Sequence, residues 1–174
     1  MEVNDTLAEL FGRIPPVVRG AVDDLGPDEL VARPAAGTNT IGWLVWHLTR
    51  VQDHHLADLI GQEQVWVAGG WAKRFGLEPD ADNTGYGHSD ADVAAVRPES
   101  AEALVAYHKA VAERTAAYIA DLRPADLDRV VDTSWDPPVT LGVRLVSVIS
   151  DNLQHAGQAA YLRGLIEDKR WFPA

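Results

Sequence analysis

Residues Thr38–Gly61, TNTIGWLVWHLTRVQDHHLADLIG, contain the clearest helical pattern of the chain. The apolar residues of this stretch recur at helical spacing, a threonine or asparagine is available to cap its start, and Gly61 follows its end. The pattern predicts a helix from about Thr40 to Ile60. Because the apolar residues fall mainly on one face, this helix is of the kind that packs in a helical bundle.

Three further stretches show the same periodicity, and none shows the alternation expected of a strand. A first helix precedes residue 26, and Pro15-Pro16 predicts a kink in it or a break into two pieces. Further helices are predicted over roughly 99–122 and 141–165. We therefore expect an all-α fold, a four-helix bundle, in one domain over residues 1–174.

Residues 63–98 differ from the rest of the chain. They contain several glycines, many acidic residues and the aromatic residues Trp66, Trp71, Phe75 and Tyr86, and they show no long helical pattern. The sequence predicts a long irregular connection between helices two and three. Connections of this length inside a compact domain are usually functional or mobile.

Charge and composition exclude several classes of protein. The chain has 26 acidic and 15 basic residues, so its formal net charge of −11 disfavours binding to a phosphate backbone. It has no cysteine, which excludes disulfides, thiolate nucleophiles and thiolate metal ligands. The start of the chain lacks the pattern of a signal peptide, and no apolar run is long enough to span a membrane. We expect a cytoplasmic protein that binds neither nucleic acid nor membranes.

The residues that carry chemistry are two histidines and an aspartate on two of the predicted helices. Asp151 and His155 are four residues apart, so they project from one helix face and can share one ion. His47, from the helix of the opening stretch, would be the third ligand of a metal site inside the bundle. The alternative is that Asp151 faces solvent and forms only a weak ion pair with His155.

Four other residues are candidates for the same site. His54 lies one heptad after His47, and we expect it to act in catalysis as a proton acceptor, to bind substrate or to be a fourth ligand. His88, in the irregular connection, is the other candidate base. Trp43 and Gln158 are predicted to contact substrate, Trp43 as a pocket wall and Gln158 because it continues the stripe of Asp151 and His155.

The two remaining histidines are not expected to take part. His55 is rotated by about 100° from its neighbour on the helix, so we expect it at the surface. His108, beside a lysine on helix three, is predicted to be solvated.

Ligands that are nitrogen and oxygen without sulfur suit Zn²⁺ best here, with Ni²⁺, Fe²⁺ or Mn²⁺ as alternatives. Three protein ligands leave a coordination position open for water or substrate. Two histidines and one carboxylate also occur in non-haem iron oxygenases, a less favoured interpretation.

Two motifs resemble the DinB-like superfamily, over nearly the whole chain and in the same order. The first is Leu30…Arg33-Pro34…Gly37-x-Asn39-x-Ile41-Gly42-Trp43-Leu44-x-x-His47-Leu48. The second is Thr140-Leu141-Gly142…Asp151-x-x-x-His155-x-Gly157-Gln158…Leu162-Arg163-Gly164. More narrowly, the chain resembles the branch related to the N-terminal domain of mycothiol-dependent maleylpyruvate isomerase.

The resemblance implies a four-helix bundle with a divalent metal on His47, Asp151 and His155. It also implies a thiol S-transferase in which the metal stabilises the thiolate of mycothiol, bacillithiol or glutathione for attack on a small electrophile. A carboxylate at position 151 agrees with the isomerase branch. That isomerase has an additional C-terminal domain, whereas this chain ends at Ala174, so we expect a detoxifying transferase and not the isomerase.

Two functions follow as hypotheses. The first is a metal-dependent thiol S-transferase that uses a low-molecular-weight thiol. The second is a non-catalytic bundle, associated with stress, that binds a metal or a small ligand. Under both, the abundant apolar helix surface favours a homodimer.

Overall fold

The computed structural model describes residues 2–170, and this part of the chain is mostly helical, which confirms the all-α class. The helices are α1 (Val3–Gly12), α2 (Ile14–Val22), α3 (Pro27–Leu30), α4 (Ile41–Ile60), α5 (Val65–Ala68), α6 (Asp90–Ala95), α7 (Ala101–Ala120) and α8 (Leu141–Ile166). Two short antiparallel strands, β1 (Val130–Asp132) and β2 (Val139–Thr140), pair with an irregular register. No helix of this part of the chain is both long enough and apolar enough to cross a membrane.

The predicted first helix is two helices, with the break at Arg13. Pro15 and Pro16 lie in the first turn of α2, where the backbone N–H groups have no partner inside the helix. The prolines therefore start a new helix and do not kink an existing one. Both helices pack on α7, and α2 also packs on α8.

The long helix α4 has the predicted bounds because both of its ends are capped. The Thr40 hydroxyl accepts a hydrogen bond from the backbone N–H of Trp43 at 3.0 Å. Gly61 ends the helix with a φ of 64°, in the left-handed region that glycine adopts without strain. Most residues of α4 are buried, because α4 packs against both α7 and α8.

A buried ion pair on α4 organises the connection between α4 and α7. The Asp53 carboxylate accepts hydrogen bonds from the backbone N–H groups of Val65 at 2.9 Å and Trp66 at 2.7 Å, and from the Tyr107 hydroxyl at 2.9 Å. The side chain of Arg50, also fully buried, lies 3.5 Å from this carboxylate. The start of α5 is thus fixed to α4 by a side chain that the core surrounds.

Arg50 also holds the second half of the connection. Its guanidinium donates hydrogen bonds to the carbonyl oxygens of Ala81 at 2.9 Å and Asn83 at 3.1 Å. The same group lies 5.0 Å from the ring centroid of Trp66, at cation–π distance. The region from 63 to 98 is therefore built on α4, and it contains α5, a 3-10 turn at Trp71–Phe75 and α6.

The predictions for His55 and His108 were wrong. His108 is 2% exposed, because Thr49 of α4 provides a polar partner at 3.2 Å inside the core. His55 is half-buried at the contact between α4 and α8, where its Nε2 lies 3.4 Å from the Arg144 guanidinium. In both cases a residue of another helix partners one ring nitrogen, whereas His108 Nε2 is buried without a partner among residues 2–170.

Candidate metal centre

Three of the predicted residues meet between α4 and α8. His47 of α4 and Asp151 and His155 of α8 each offer one ligand atom, and these atoms lie within 4.8 Å of one another. His47 Nε2 is 3.9 Å and His155 Nε2 is 3.5 Å from the same oxygen, Asp151 Oδ1. Asp151 thus points toward His47 on the facing helix, which its alternative placement in solvent would not allow.

Both imidazole rings are held by their other nitrogen. His47 Nδ1 lies 2.6 Å from the carbonyl oxygen of Thr84, and His155 Nδ1 lies 2.8 Å from the side-chain oxygen of Gln158. An oxygen acceptor at Nδ1 places the proton of a neutral imidazole there and leaves the lone pair on Nε2. Each ring therefore presents an Nε2 lone pair toward Asp151, as metal ligands require.

The second oxygen of Asp151 gives an independent test of whether a cation fits. Asp151 Oδ2 is buried and finds no hydrogen-bond donor among residues 2–170. A buried carboxylate oxygen without a partner costs free energy, which a bound cation would offset. The two imidazoles and the carboxylate also form a donor set that divalent first-row metals accept. The residues present thus fit a divalent metal.

The surroundings affect the two histidines in opposite directions. Burial lowers the pKa of His47, so this ring favours the neutral form. The hydrogen bond with Asp151 raises the pKa of His155, so this ring competes with a metal for the same carboxylate when it is protonated. Competition between a proton and a metal at this centre therefore concerns His155 more than His47.

Trp43 and a segment of the connection cover His47. The Trp43 ring stacks on His47 at a centroid distance of 4.6 Å and an interplanar angle of 10°. Trp43 Nε1 donates a hydrogen bond to His88 Nδ1 at 3.1 Å, and His88 Nε2 lies 2.8 Å from the side-chain oxygen of Asn83. Trp43 is only 6% exposed, so it packs on the ligand and its predicted contact with substrate stays a prediction.

Gly85 is the point of closest approach between the connection and the ligand. Its φ is +91°, and a Cβ built on it would lie 2.8 Å from His47 Nδ1 and 2.9 Å from Trp46. Only a residue without a side chain fits there, and that fit allows the neighbouring carbonyl of Thr84 to reach the ring. Sequence reasoning missed Thr84, Gly85 and Arg50, since no motif marks them.

Gln158 lies at a groove beside the centre. The groove has a volume of about 590 Å³ and a largely apolar lining of Pro34, Ala35, Thr38, Asn39, Leu44, Gln158, Tyr161, Leu162 and Leu165. Because Gln158 also holds His155, it connects this groove to the ligand set. Its predicted role in substrate binding is compatible with this position.

The structure does not bring His54 to the three ligands. An α-helix rises about 10 Å over seven residues, so His54 lies two turns along α4 from His47. Its Nδ1 is 3.2 Å from the Gln64 side-chain nitrogen, and the centroid of its ring lies 5.3 Å from the ring centroid of His55. A catalytic role for His54 stays a prediction.

The fold and this centre together define a helical protein with a candidate His–Asp–His metal site between two long helices. The sequence model of the mycothiol S-transferase family matches residues 6–168, and the chain belongs to this family, which is of the DinB-like type.

A solved structure supports the same fold. The crystal structure of a conserved protein from Enterococcus faecalis is similar to this chain, with a TM-score of 0.89 and 29% identity over 97% of this chain and 99% of that one. No curated protein matches the chain.

Proposed function

We propose that the protein is a metal-dependent thiol S-transferase that transfers a low-molecular-weight thiol, such as mycothiol, to a small electrophile. The observation that carries the proposal is the meeting of His47, Asp151 and His155 with both Nε2 atoms directed at one carboxylate. Membership of the mycothiol S-transferase family supports the choice of thiol. The chain has no cysteine, so the reacting sulfur belongs to the cosubstrate.

The ligand residues have distinct tasks in this mechanism. A divalent metal on the three side chains, best zinc and alternatively nickel, iron or manganese, supplies a Lewis acid that lowers the pKa of a thiol. The Thr84 carbonyl and the Gln158 amide keep the two imidazoles oriented, so the ligand set is arranged before the thiol binds. Trp43 and Gly85 exclude water from one side of His47.

The thiol proton needs an acceptor, and we propose His54 for this step, with His88 as the alternative. From its position two turns along α4 from His47, His54 would receive the proton through bound water. His88 is held between Trp43 and Asn83 by both of its ring nitrogens, whereas only one ring nitrogen of His54 has a hydrogen-bond partner in the described chain. Because the Gln64 amide donates to His54 Nδ1, the neutral ring carries its proton on Nε2, so proton uptake by His54 would break the hydrogen bond with Gln64. His54→Gln should lower kcat and leave the metal content unchanged.

Substrate contacts are proposed for Gln158 and Trp43. The groove beside Gln158 is mostly apolar, which suits an uncharged electrophile with an apolar body. The carboxylate at position 151, which the sequence resemblance gives to the branch related to mycothiol-dependent maleylpyruvate isomerase, supports placing the chain in that branch.

We also propose that the helices form a four-helix bundle as one domain. The contacts that support this arrangement join α4 to α8 and α7, and α2 to α7 and α8. In the bundle, α1 and α2 together form one wall, and α4, α7 and α8 form the other three.

The first experiment is elemental analysis of untagged protein, beside the His47→Ala and Asp151→Ala variants. We expect near one metal ion per chain in the native protein and its loss in both variants. Asp58→Ala is the matched control, since it removes an exposed carboxylate from α4 and should keep the metal. The absence of metal after reconstitution of the native protein would contradict the proposal.

The second experiment measures transfer of mycothiol to a model electrophile. Transfer should require the metal and be lost in His155→Ala. Transfer that continues in the metal-free protein and in this variant would exclude the mechanism. Stoichiometric metal or ligand binding with no turnover would instead favour the alternative function, a non-catalytic binding bundle.

A further inference from the structure

The outward face of α8 has no charged side chain. Its exposed residues are all apolar or uncharged: Val143, Val146, Ser147, Ser150, Leu153, Gln154, Gly157, Gln158, Tyr161 and Leu165. The exposed face of α7, by contrast, has Glu102, Lys109 and Glu113. In a chain with a net charge of −11, a long helix face without charge is typical of the core of an interface.

The same face contains most of the exposed large hydrophobic residues among residues 2–170. Five of these eight residues lie on α8, and their exposed fractions run from 39% at Leu153 to 71% at Tyr161. Contiguous apolar surface of this kind marks an interaction site, because leaving it in water forgoes about 25 cal/mol per Å².

Seven residues form one line along this face, which we name the α8 stripe. They are Val143, Val146, Ser150, Leu153, Gly157, Tyr161 and Leu165, each three or four positions from the next. Their sizes follow the order large, large, small, large, small, large, large. The order is the same in both directions, with Leu153 at its centre.

We propose that a second copy of the chain covers the α8 stripe, with the two helices antiparallel about a two-fold axis that passes between Leu153 and Gln154. This arrangement places Val143 against the partner's Leu165 and Val146 against the partner's Tyr161. At the middle it places Ser150 against the partner's Gly157, where two small residues let the helices approach closely. The contact is closed and self-complementary, as a two-fold interface requires.

The area available is sufficient for such a dimer. The exposed surface of the five large side chains, summed over two copies, is on the order of 1,000 Å², the size at which specific interfaces begin. The inference does not depend on the metal centre, since no residue of the α8 stripe is a candidate metal ligand. Tyr161 and Leu165 also line the groove beside Gln158, so the partner subunit would form part of the wall of that groove.

Sedimentation equilibrium tests the dimer. The native protein should have twice the 18.9 kDa mass of one chain. Val146→Glu should weaken the dimer at least about tenfold, since it buries an unpaired charge in each copy. Ala117→Glu, on the exposed face of α7, is the matched control and should stay dimeric. A monomeric native protein, or a dimer unaffected by Val146→Glu, would overturn the inference.

Disulfide cross-linking tests the register, because the chain has no cysteine of its own. Leu153→Cys, beside the axis, should form a cross-linked dimer under mild oxidation, whereas Val143→Cys should not, since its partner is Leu165. Cross-linking at both positions would mean parallel helices in register, and a dimer that cross-links at neither position would use another face. Both results overturn the arrangement. Metal retained by monomeric Val146→Glu would show that the metal centre stands separately from the dimer.

Discussion

A single glycine controls how closely the connection approaches His47. At Gly85 the Cβ of an alanine would lie 2.8 Å from His47 Nδ1 and meet Trp46 at 2.9 Å, so Gly85→Ala must displace the loop or the ring. Either shift breaks the hydrogen bond from His47 to Thr84. We expect metal affinity to fall about tenfold or more, measured by competition with a chelator.

Gly87 provides the matched control for this substitution. Its φ of +75° also lies in the left-handed region, but a Cβ there meets nothing within 4 Å. Gly87→Ala should therefore cost about 1–2 kcal/mol of stability through backbone strain and leave metal affinity unchanged. Equal losses of affinity in both variants would show that strain, and not contact with His47, is responsible.

The three candidate ligands could be predicted from the sequence, whereas the residues that hold them in position could not. Asp151 and His155 are recognisable because helical spacing alone brings their side chains to one face. Thr84 acts through its main-chain carbonyl and Gly85 through the absence of a side chain. A pattern of side chains cannot indicate either role, so the roles of Thr84 and Gly85 are seen only in the three-dimensional structure.

At the scale of elements, the connection depends on the buried carboxylate of α4. Asp53→Asn keeps the size of the side chain but removes the charge that faces Arg50, Val65 N–H and Trp66 N–H. Leaving the Arg50 charge buried without its partner should cost about 3–5 kcal/mol of unfolding free energy. Urea unfolding measures the loss, and faster hydrogen exchange in α5 would locate it.

Asp58, on the same helix, is the control. It is exposed, so Asp58→Asn should change the unfolding free energy by less than about 0.5 kcal/mol. If Asp53→Asn were equally mild, the connection would be held by its apolar contacts and not by the ion pair.

The helices whose ends are marked by capping residues could be predicted from the sequence, whereas the structure of the connection could not. Thr40, Gly61 and Thr140 cap α4 and α8 within the chain neighbourhood that a sequence pattern covers. The structure of residues 63–98 rests on Arg50 and Asp53, which in sequence look like ordinary surface residues of a helix. They are buried because α7 and the connection pack against them, and a local sequence pattern does not predict contacts with such distant segments.

For the whole molecule, a buried histidine predicts how stability depends on pH. Burial lowers the pKa of His108 to about 4, from an ordinary value near 6.5. The unfolded chain therefore binds a proton that the folded protein excludes, so stability falls as the pH drops from about 6.5 to about 4. From this residue we expect a loss on the order of 2 kcal/mol at pH 5 relative to pH 7.

Burial also lowers the pKa of His55 to about 4, so this residue contributes to the same loss of stability at low pH. Replacement of His108 isolates the contribution of His108. His108→Gln keeps a polar group near Thr49 but does not titrate. The difference in unfolding free energy between pH 7 and pH 5 should shrink by the amount attributed to His108. An unchanged difference would mean that other groups determine the acid sensitivity.

The connection is supported almost entirely through its main chain around the metal centre. Arg50 contacts the carbonyls of Ala81 and Asn83, and His47 contacts the carbonyl of Thr84. Any residue that can adopt the local backbone angles presents the same carbonyl. The outward side chains of this segment can therefore be exchanged while the candidate ligand set stays in place.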